Sequence, residues 1–280
     1  MFVLSLLLIA VLWEAYKAVG PQAGGKVLGL RILPKAENRS MPHVWDMLRR
    51  YGRPEQRGSS HKIASTVLAG SWFTLRLALA GLVLGVVIGL GLATVMTRFK
   101  VVERGLLPLL ILSQTVPLIA LAPLVVSWGG RLHLGGFTWH RWMSASVIAA
   151  FLAFFPMSIG GLRGLSSPPP AALELMDSYA ARWRDGLFKL RFPAAIPFLV
   201  PSLKLAASSA LIGTIVAEIS TGLRGGIGRL IIEYSREATG DPAKVFTAVF
   251  AAAGIGLVMA GLVAFGDVYL SRNRRKELAA

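Results

Sequence analysis

The chain has 280 residues, 54% of them apolar, a mean hydropathy of +0.61, a formal charge of +16 and no cysteine. That apolar content exceeds what a soluble domain uses, so a membrane protein is the first expectation; the missing cysteines exclude disulfides, thiol nucleophiles and Cys-ligated metals. The Lys and Arg lie in short clusters beside apolar runs, a distribution that suits lipid headgroups and orientation signals and argues against a nucleic-acid face.

Residues 1–20 are expected to form a first transmembrane helix. Met1 to Trp13 is apolar, and a crossing of about 20 residues places Glu14 and Lys17 at the interface. A cleaved signal peptide is the rival, opposed by the lack of a basic n-region and of a small-x-small cleavage site. Residues 21–62 read as an external basic linker. Within it Met41 to Tyr51 predicts a short helix lying on the membrane surface, with Trp45 and Tyr51 as interfacial anchors, and Gly52 to Ser60 reads as a flexible insertion. Gly20 to Lys26 has the G-x-x-x-x-G-K skeleton of a phosphate-binding loop. Val27 replaces the hydroxyl that would meet Mg²⁺, and the motif trails an apolar helix, so no nucleotide site is expected there.

Residues 63–270 read as a core of five further spans. The second span covers about 72–96, and its Gly81, Gly85, Gly89 and Gly91 have the small-xxx-small spacing that lets a neighbouring helix approach closely. The third, about 105–128, contains Pro108, Pro117, Pro123 and the polar trio Ser113, Gln114 and Thr115. It is expected to be bent, with its polar groups satisfied by protein or by a water-filled path. Gly129 to Arg141 is a loop, and the fourth span runs over about 143–161.

Ser166 to Pro201 (SSPPPAALELMDSYAARWRDGLFKLRFPAAIPFLVP) interrupts the apolar second half. Ser167 is a possible N-cap and Pro168 fits a first turn. Leu173, Met176, Ala180, Trp183, Leu187 and Leu190 recur at steps of three and four, while Glu174, Asp177, Arg182, Arg184, Asp185, Lys189 and Arg191 mostly take the other side. The pattern predicts one amphipathic helix from Ser167 to Leu190. The fifth span, about 198–218, carries Lys204, Ser208, Ser209, Thr214 and Glu218. Gly222 to Gly228 is a tight external turn, and the sixth span, about 245–270, leads into a basic tail, 271–280. The total is an all-α polytopic membrane protein with six transmembrane helices.

The segment from Glu174 to Pro193 resembles the cytoplasmic signature loop of bacterial ABC-importer permeases. Counting back from Pro193, Phe192 takes the Leu place, Leu190 the Ile place, Ala180 the Gly place and Glu174 the Glu place, without a gap. Because Ala180 replaces the Gly, the sharp turn of that family is expected to be more helical here. QTVPLIALAPLVVSWGG, FFPMSIGGLRG, GTIVAEIS and Gly225 to Gly228 resemble further stretches of the same family, in order, as does Leu33-Pro34 ahead of the surface helix. They are most similar to the taurine, alkanesulfonate, nitrate and pyrimidine-precursor branch. LMDSYAARW and LRFPAAIPFL look most like permeases for riboflavin or thiamine-pyrimidine precursors, with sulfonate, taurine or nitrate as the alternative.

The resemblance implies a type I ABC-importer permease fold in a bacterial plasma membrane and a coupling loop, 163–197, that inserts into a cytosolic ATPase. It makes Glu174, Asp177, Ala180, Trp183, Arg184, Leu187 and Pro193 the ATPase-coupling residues. It also implies an ATP-binding-cassette ATPase dimer, a second permease copy or sister permease against the small-residue faces, and an extracytoplasmic solute-binding protein. With the loop inside, the cluster Arg98 to Arg104 and the tail are also inside, as the positive-inside rule wants. The first long connection is in tension with it, carrying ten Lys or Arg from Lys17 to Lys62, nine of them in the external linker.

Nothing in the chain supports catalysis, a metal or a cofactor. His43, His61, His133 and His140 lack helical ligand spacing, and no paired carboxylates suggest acid–base work. Gln114, Thr115, Ser208 and Ser209, with Thr214 and Glu218, are the candidate translocation path; interhelical hydrogen bonds that only hold the bundle together explain the same residues. Glu218 either lines the path or docks a binding protein, or else is an interfacial anchor or ion-pair member. Lys204, roughly 21 Å away along a helix, cannot pair with it and reads as a snorkelling residue. A stand-alone secondary transporter or channel is the alternative class. It predicts internal repeats and buried coupling charges, of which the sequence offers no repeat and few charges.

Overall fold

The computed structural model describes residues 2–22, 24–27, 30–56, 60–131, 133–134 and 137–277. The side chains of the basic tail, of His133, and of residues 57–59 in the predicted insertion lie outside the described ones. In chain order the elements are α1 (Phe2–Val19), β1 (Gly25–Val27), β2 (Leu30–Leu33), α2 (Val44–Arg50), α3 (Ile63–Arg98), α4 (Lys100–Ser113) and α5 (Leu118–Gly129). There follow β3 (His133–Leu134), β4 (Phe137–Thr138), α6 (Arg141–Leu165), α7 (Pro170–Ser178) and α8 (Trp183–Asp185). A π-helical stretch (Gly186–Arg191) leads to α9 (Phe192–Thr221), α10 (Ile227–Glu237) and α11 (Pro242–Glu277). The strands form two small antiparallel hairpins, one of them inside the stretch expected to be a plain loop.

Among the described residues, four helical stretches are long and apolar enough to cross a membrane: Ile63–Arg98, Arg141–Leu165, Trp183–Thr221 and Pro242–Val268. Counting α4 and α5 as one broken span makes five, where six were expected. The third span, expected to be bent, is broken outright: α4 and α5 meet at 102°. Pro117 explains the break. It has no N–H to extend α4, it holds Val116 away from helical geometry, and it caps α5 in extended conformation (φ −62°, ψ 114°). Gln114 and Thr115 close the α4 end with bonds to Ile111 and Leu112 carbonyls.

The chain divides into two compact units, residues 1–72 with 225–253, and 73–224 with 254–280. In the first, Glu14 is bonded within the chain. Its Oε1 accepts the backbone N–H of Val44 at 2.7 Å and its Oε2 lies 2.8 Å from His43 Nδ1, capping α2 from another element. Lys17 donates to Asn38 Oδ1 and the Met41 carbonyl. Tyr51, expected as an interfacial anchor, donates to the Thr247 carbonyl at 2.7 Å, and the expected flexible insertion is pinned at its ends. Glu55 accepts from Tyr234 (3.0 Å) and Thr66 (2.7 Å), and its N–H meets the His61 carbonyl. The amphipathic helix α10, unassigned by the sequence, supplies Tyr234, whose ring lies under Lys244 Nζ at 4.5 Å.

In the second unit, glycines set the helix contacts. A Cβ built on Gly81, Gly85 or Gly89 would stand 2.4, 2.7 or 2.6 Å from the Cβ of Ala149, Ala153 or Met157, and one on Gly161 would stand 2.8 Å from that of Ala93. Both partners advance by four together, so α3 and α6 run parallel. The chain between them must therefore return once, which α4 and α5 do as a pair. The α6–α9 contact runs the other way. Gly160 meets Ser202, Gly164 meets Ala195, and Gly213 meets Ala149, so α9 is antiparallel to α6. The small-residue face of α3 is thus used within the chain rather than on a second copy, and Gly91, with nothing within 4 Å of its would-be Cβ, lies off it.

Candidate functional site

The signature segment is not one helix. Nothing in α7 is buried, and α7 ends at Ser178. Ala180 then takes a left-handed backbone (φ 52°). Its N–H bonds to the Asp177 carbonyl, and that of Ala181 to the Met176 carbonyl, the paired bonds of a Schellman turn with Ala where Gly is usual. The expectation that Ala180 would make this stretch more helical is therefore overturned: the turn survives because two otherwise orphaned carbonyls gain donors. Ser167 is likewise no N-cap of the segment. It donates to the Gly164 carbonyl at 2.7 Å, closing α6, while Pro169 caps α7 and Pro170 fills its first position.

The two halves of the segment face different surroundings. Glu174, Asp177, Ala180 and Arg184 are exposed, as are Leu175 (56%) and Tyr179 (79%), one helical turn apart. Leu187 is 4% exposed. It packs with Ala93, Met96, Leu110, Leu162, Leu165 and Ala195, with Trp183 against the same cluster. Arg98 covers the Trp183 ring at 5.3 Å. Trp183 and Leu187, expected on a docking face, are the segment's own root, whereas Leu175 and Tyr179 of the first half and Phe188 of the second, which the sequence did not select, are bare apolar groups.

Helical backbone is continuous from Trp183 to Thr221. Its π-helical stretch ends just before Pro193, whose ring would clash with the Lys189 carbonyl in a regular α-turn; the wider turn removes the clash. Arg191 Nη1 donates to the Leu165 carbonyl at 2.7 Å and so caps α6. Beyond, Pro193, Pro197 and Pro201 recur every four residues, so the carbonyls of Lys189, Pro193 and Pro197 lose their usual helical donors.

That part of α9 borders a groove of about 420 Å³. Pro197, Phe198, Pro201, Ser202, Leu205 and Ser209 line one side; Phe155, Pro156, Gly160 and Arg163 of α6 line the other, and Gln114 reaches in from the α4–α5 break. The walls are apolar with few polar groups, the usual build of a small-solute site. Of the expected path residues, the groove unites Gln114 and Ser209. Thr115 and Ser208 are exposed and bonded to the Leu112 and Lys204 carbonyls. Thr214 and Glu218 are fully buried away from it: Thr214 donates to the Ala210 carbonyl, and Glu218 accepts from Thr74 at 2.8 Å. Arg163 and Ser202 were missed. The cue was the α6–α9 contact itself, where a Cβ on Gly160 would lie 1.7 Å from Ser202 Oγ. Among the described residues no cluster of three or more His, Asp and Glu is placed to hold a metal.

A family model described as a binding-protein-dependent transport system inner membrane component matches residues 81–275. A probable ABC transporter permease protein of Haemophilus influenzae is 31% identical over 179 residues, 64% of this chain and 68% of that one. The formylaminopyrimidine transport permease protein ThiX of Halalkalibacterium halodurans is 31% identical over 189 residues, 66% of this chain and 69% of its own. Among solved structures, a chain of the methionine ABC transporter MetNI in an inward-facing conformation shares the fold. It aligns with a TM-score of 0.60 at 17% identity, covering 77% of this chain and 99% of that chain.

Proposed function

Given that this chain belongs to the binding-protein-dependent transport system inner membrane components, the permeases of ABC importers, we propose that it carries a small organic solute through the α6–α9 groove, driven by a separate ATPase. The continuous helix from Trp183 to Thr221 carries this reading. Its near end is rooted beside an exposed handle, and its middle forms a groove wall. A push on α7 turns or shifts a rod whose prolines have already removed several of its stabilising bonds. Partner binding that favours one position of the rod then biases the path between outward and inward openings.

The handle is Glu174, Leu175, Asp177, Tyr179, Ala180 and Arg184, with Trp183, Leu187 and Pro193 transmitting its displacement. Gln114 and Ser209 contact the solute, Thr115 and Ser208 border it, and Thr214 and Glu218 hold helices in place. The working assembly includes an ATP-binding-cassette dimer, a second permease copy or sister chain and an external solute-binding protein, in a bacterial plasma membrane. The six crossings then include α1, with residues 21–62 outside and the basic tail inside.

Names of relatives spread over formylaminopyrimidine, riboflavin, aliphatic sulfonate and nitrate transport. A riboflavin or thiamine-pyrimidine precursor is the first candidate, favoured by Phe155, Phe198 and the prolines as a surface for a flat ring. An anion such as a sulfonate, taurine or nitrate is the second, favoured by Arg163 at the groove. Affinity purification of the chain from its native membrane tests the assembly. An ATPase and a solute-binding protein are expected to accompany it, and uptake by the chain alone in proteoliposomes would instead support a self-sufficient transporter.

A further inference from the structure

The last turn of α6 cannot close on the chain that follows it. Ser167 gives both its N–H and its hydroxyl to the Gly164 carbonyl, at 3.1 and 2.7 Å. The Leu165 carbonyl would next turn to residues 168, 169 or 170, but all three are prolines with no N–H to give. Leu165 is fully buried, so water does not take their place. The donor comes from the far side of the signature segment: Arg191 Nη1, 2.7 Å away and 26 residues on, just before α9 begins. A charged donor makes this one of the stronger bonds open to a helix end. The charge of Asp177, in α7, acts on the same guanidinium.

This bond closes a loop. The chain leaves α6, forms α7 and returns through the π-helical stretch to α9, and the two feet of the loop stand side by side. A Cβ built on Gly164 would lie 2.8 Å from that of Ala195, and Ser167 Oγ lies 3.4 Å from the Ala194 carbonyl. Those contacts are van der Waals packing and one long hydrogen bond, so Arg191 supplies the strong directional tie. Beside the feet the same two helices become the walls of the groove, at Arg163 and Pro197.

We propose that Arg191 is a positioning residue for coupling: by clamping the feet of α6 and α9 together, it makes a displacement of α7 move both groove walls instead of spreading the loop at its base. The inference rests on the groove being the solute path and α7 the handle. Arg191 is not among the residues that line the groove. Without its bond, α7 follows the motor while the loop opens, and the groove stays as it was.

The absence of cysteine from the chain permits a test that needs no solute. Ser209→Cys places a reporter thiol in the groove. Its rate of reaction with N-ethylmaleimide is measured in the full importer in membrane vesicles, at rest and with the ATPase trapped by ATP and vanadate. Trapping is expected to change the rate about tenfold, as a shift between two groove states of that size would. Arg191→Met removes the donor at similar length and erases the change, while vanadate still traps nucleotide. Arg191→Lys, which keeps a charged donor, retains the change, and so does Lys189→Gln, which removes a neighbouring positive charge paired with Asp185. A full change in Arg191→Met overturns the clamp and leaves the transport reading standing; no change in the unsubstituted chain overturns that reading and the clamp with it. If Arg191→Met does not assemble, a second arm decides. Ser167→Cys with Ala194→Cys, without the reporter, is bridged by a short bis-methanethiosulfonate linker. Because the feet stay together through the cycle, ATP hydrolysis stimulated by the solute-binding protein is expected to match that of the cysteine-free chain treated alike. Failure of the two thiols to bridge, or a bridged importer that stalls, overturns the proposal.

Discussion

Ala180 shows how far a single position is readable. Counting back from Pro193 finds the right residue, but an alanine there argues for helix, and only the two turn bonds reveal that the backbone goes left-handed anyway. Glycine adopts that region without its Cβ penalty. Ala180→Gly is expected to stabilise the turn by about 1 kcal/mol, slowing hydrogen exchange at the amides of residues 180 and 181 about fivefold. Tyr234 supports a prediction of a different kind. Burial, and then the neighbouring Glu55, push its phenol above the ordinary tyrosine range. The folded state thus holds this proton more tightly than the unfolded chain. The resulting stability is fully present below the unfolded value near about 10 and is lost as pH rises through the raised folded value. Thermal unfolding should therefore show no contribution from Tyr234 to pH dependence near neutrality and a loss in alkali. Tyr234→Phe removes that alkaline dependence and, by leaving one Glu55 oxygen without its donor, costs about 1 kcal/mol near neutrality, a cost that shrinks in alkali.

At the scale of elements, periodicity revealed what each helix does better than what it touches. The spacing of Gly81, Gly85 and Gly89 signalled close packing, yet spacing carries no address, and the partner is α6 of the same chain instead of a second copy. Between membrane helices such contacts hold by van der Waals packing, with no hydrophobic gain to offset a misfit. Gly85→Val drives a side chain into Ala153 and the Ala150 carbonyl, whereas Gly91→Val enters open space. The first is expected to lose about 1–3 kcal/mol and the second to stay near zero, read from thermal melts of the purified protein. Three prolines announced a bend between α4 and α5, but the 102° angle depends on the turn closed by Gln114 and Thr115. The helix α10 escaped because its apolar residues are too few to stand out between two long hydrophobic runs. The amphipathic stripe from Leu173 to Leu190 was real as a pattern; as one helix it failed, since its members divide between an exposed handle and a buried root.

For the whole molecule, the sequence made the class legible: long apolar runs, basic clusters and an ordered set of motifs identify an importer permease, and the family match over residues 81–275 agrees. The groove was only half legible, because Gln114 and Ser209 stand out as polar groups in apolar runs, while Arg163 and Ser202 join them only through the close α6–α9 contact. The central claim is that an outside motor moves this chain by the handle around Leu175 and Tyr179 and that the rooted helix carries the motion to the groove. Leu175→Asp puts a charge on the handle without touching the root at Trp183 and Leu187. The decisive measurement is solute-stimulated ATP hydrolysis by the reconstituted importer, with membrane insertion of the variant checked alongside. Stimulation is expected to fall at least about tenfold in Leu175→Asp, the loss of roughly 1.4 kcal/mol or more of coupling, with insertion unchanged; stimulation at the unsubstituted level would contradict the handle outright.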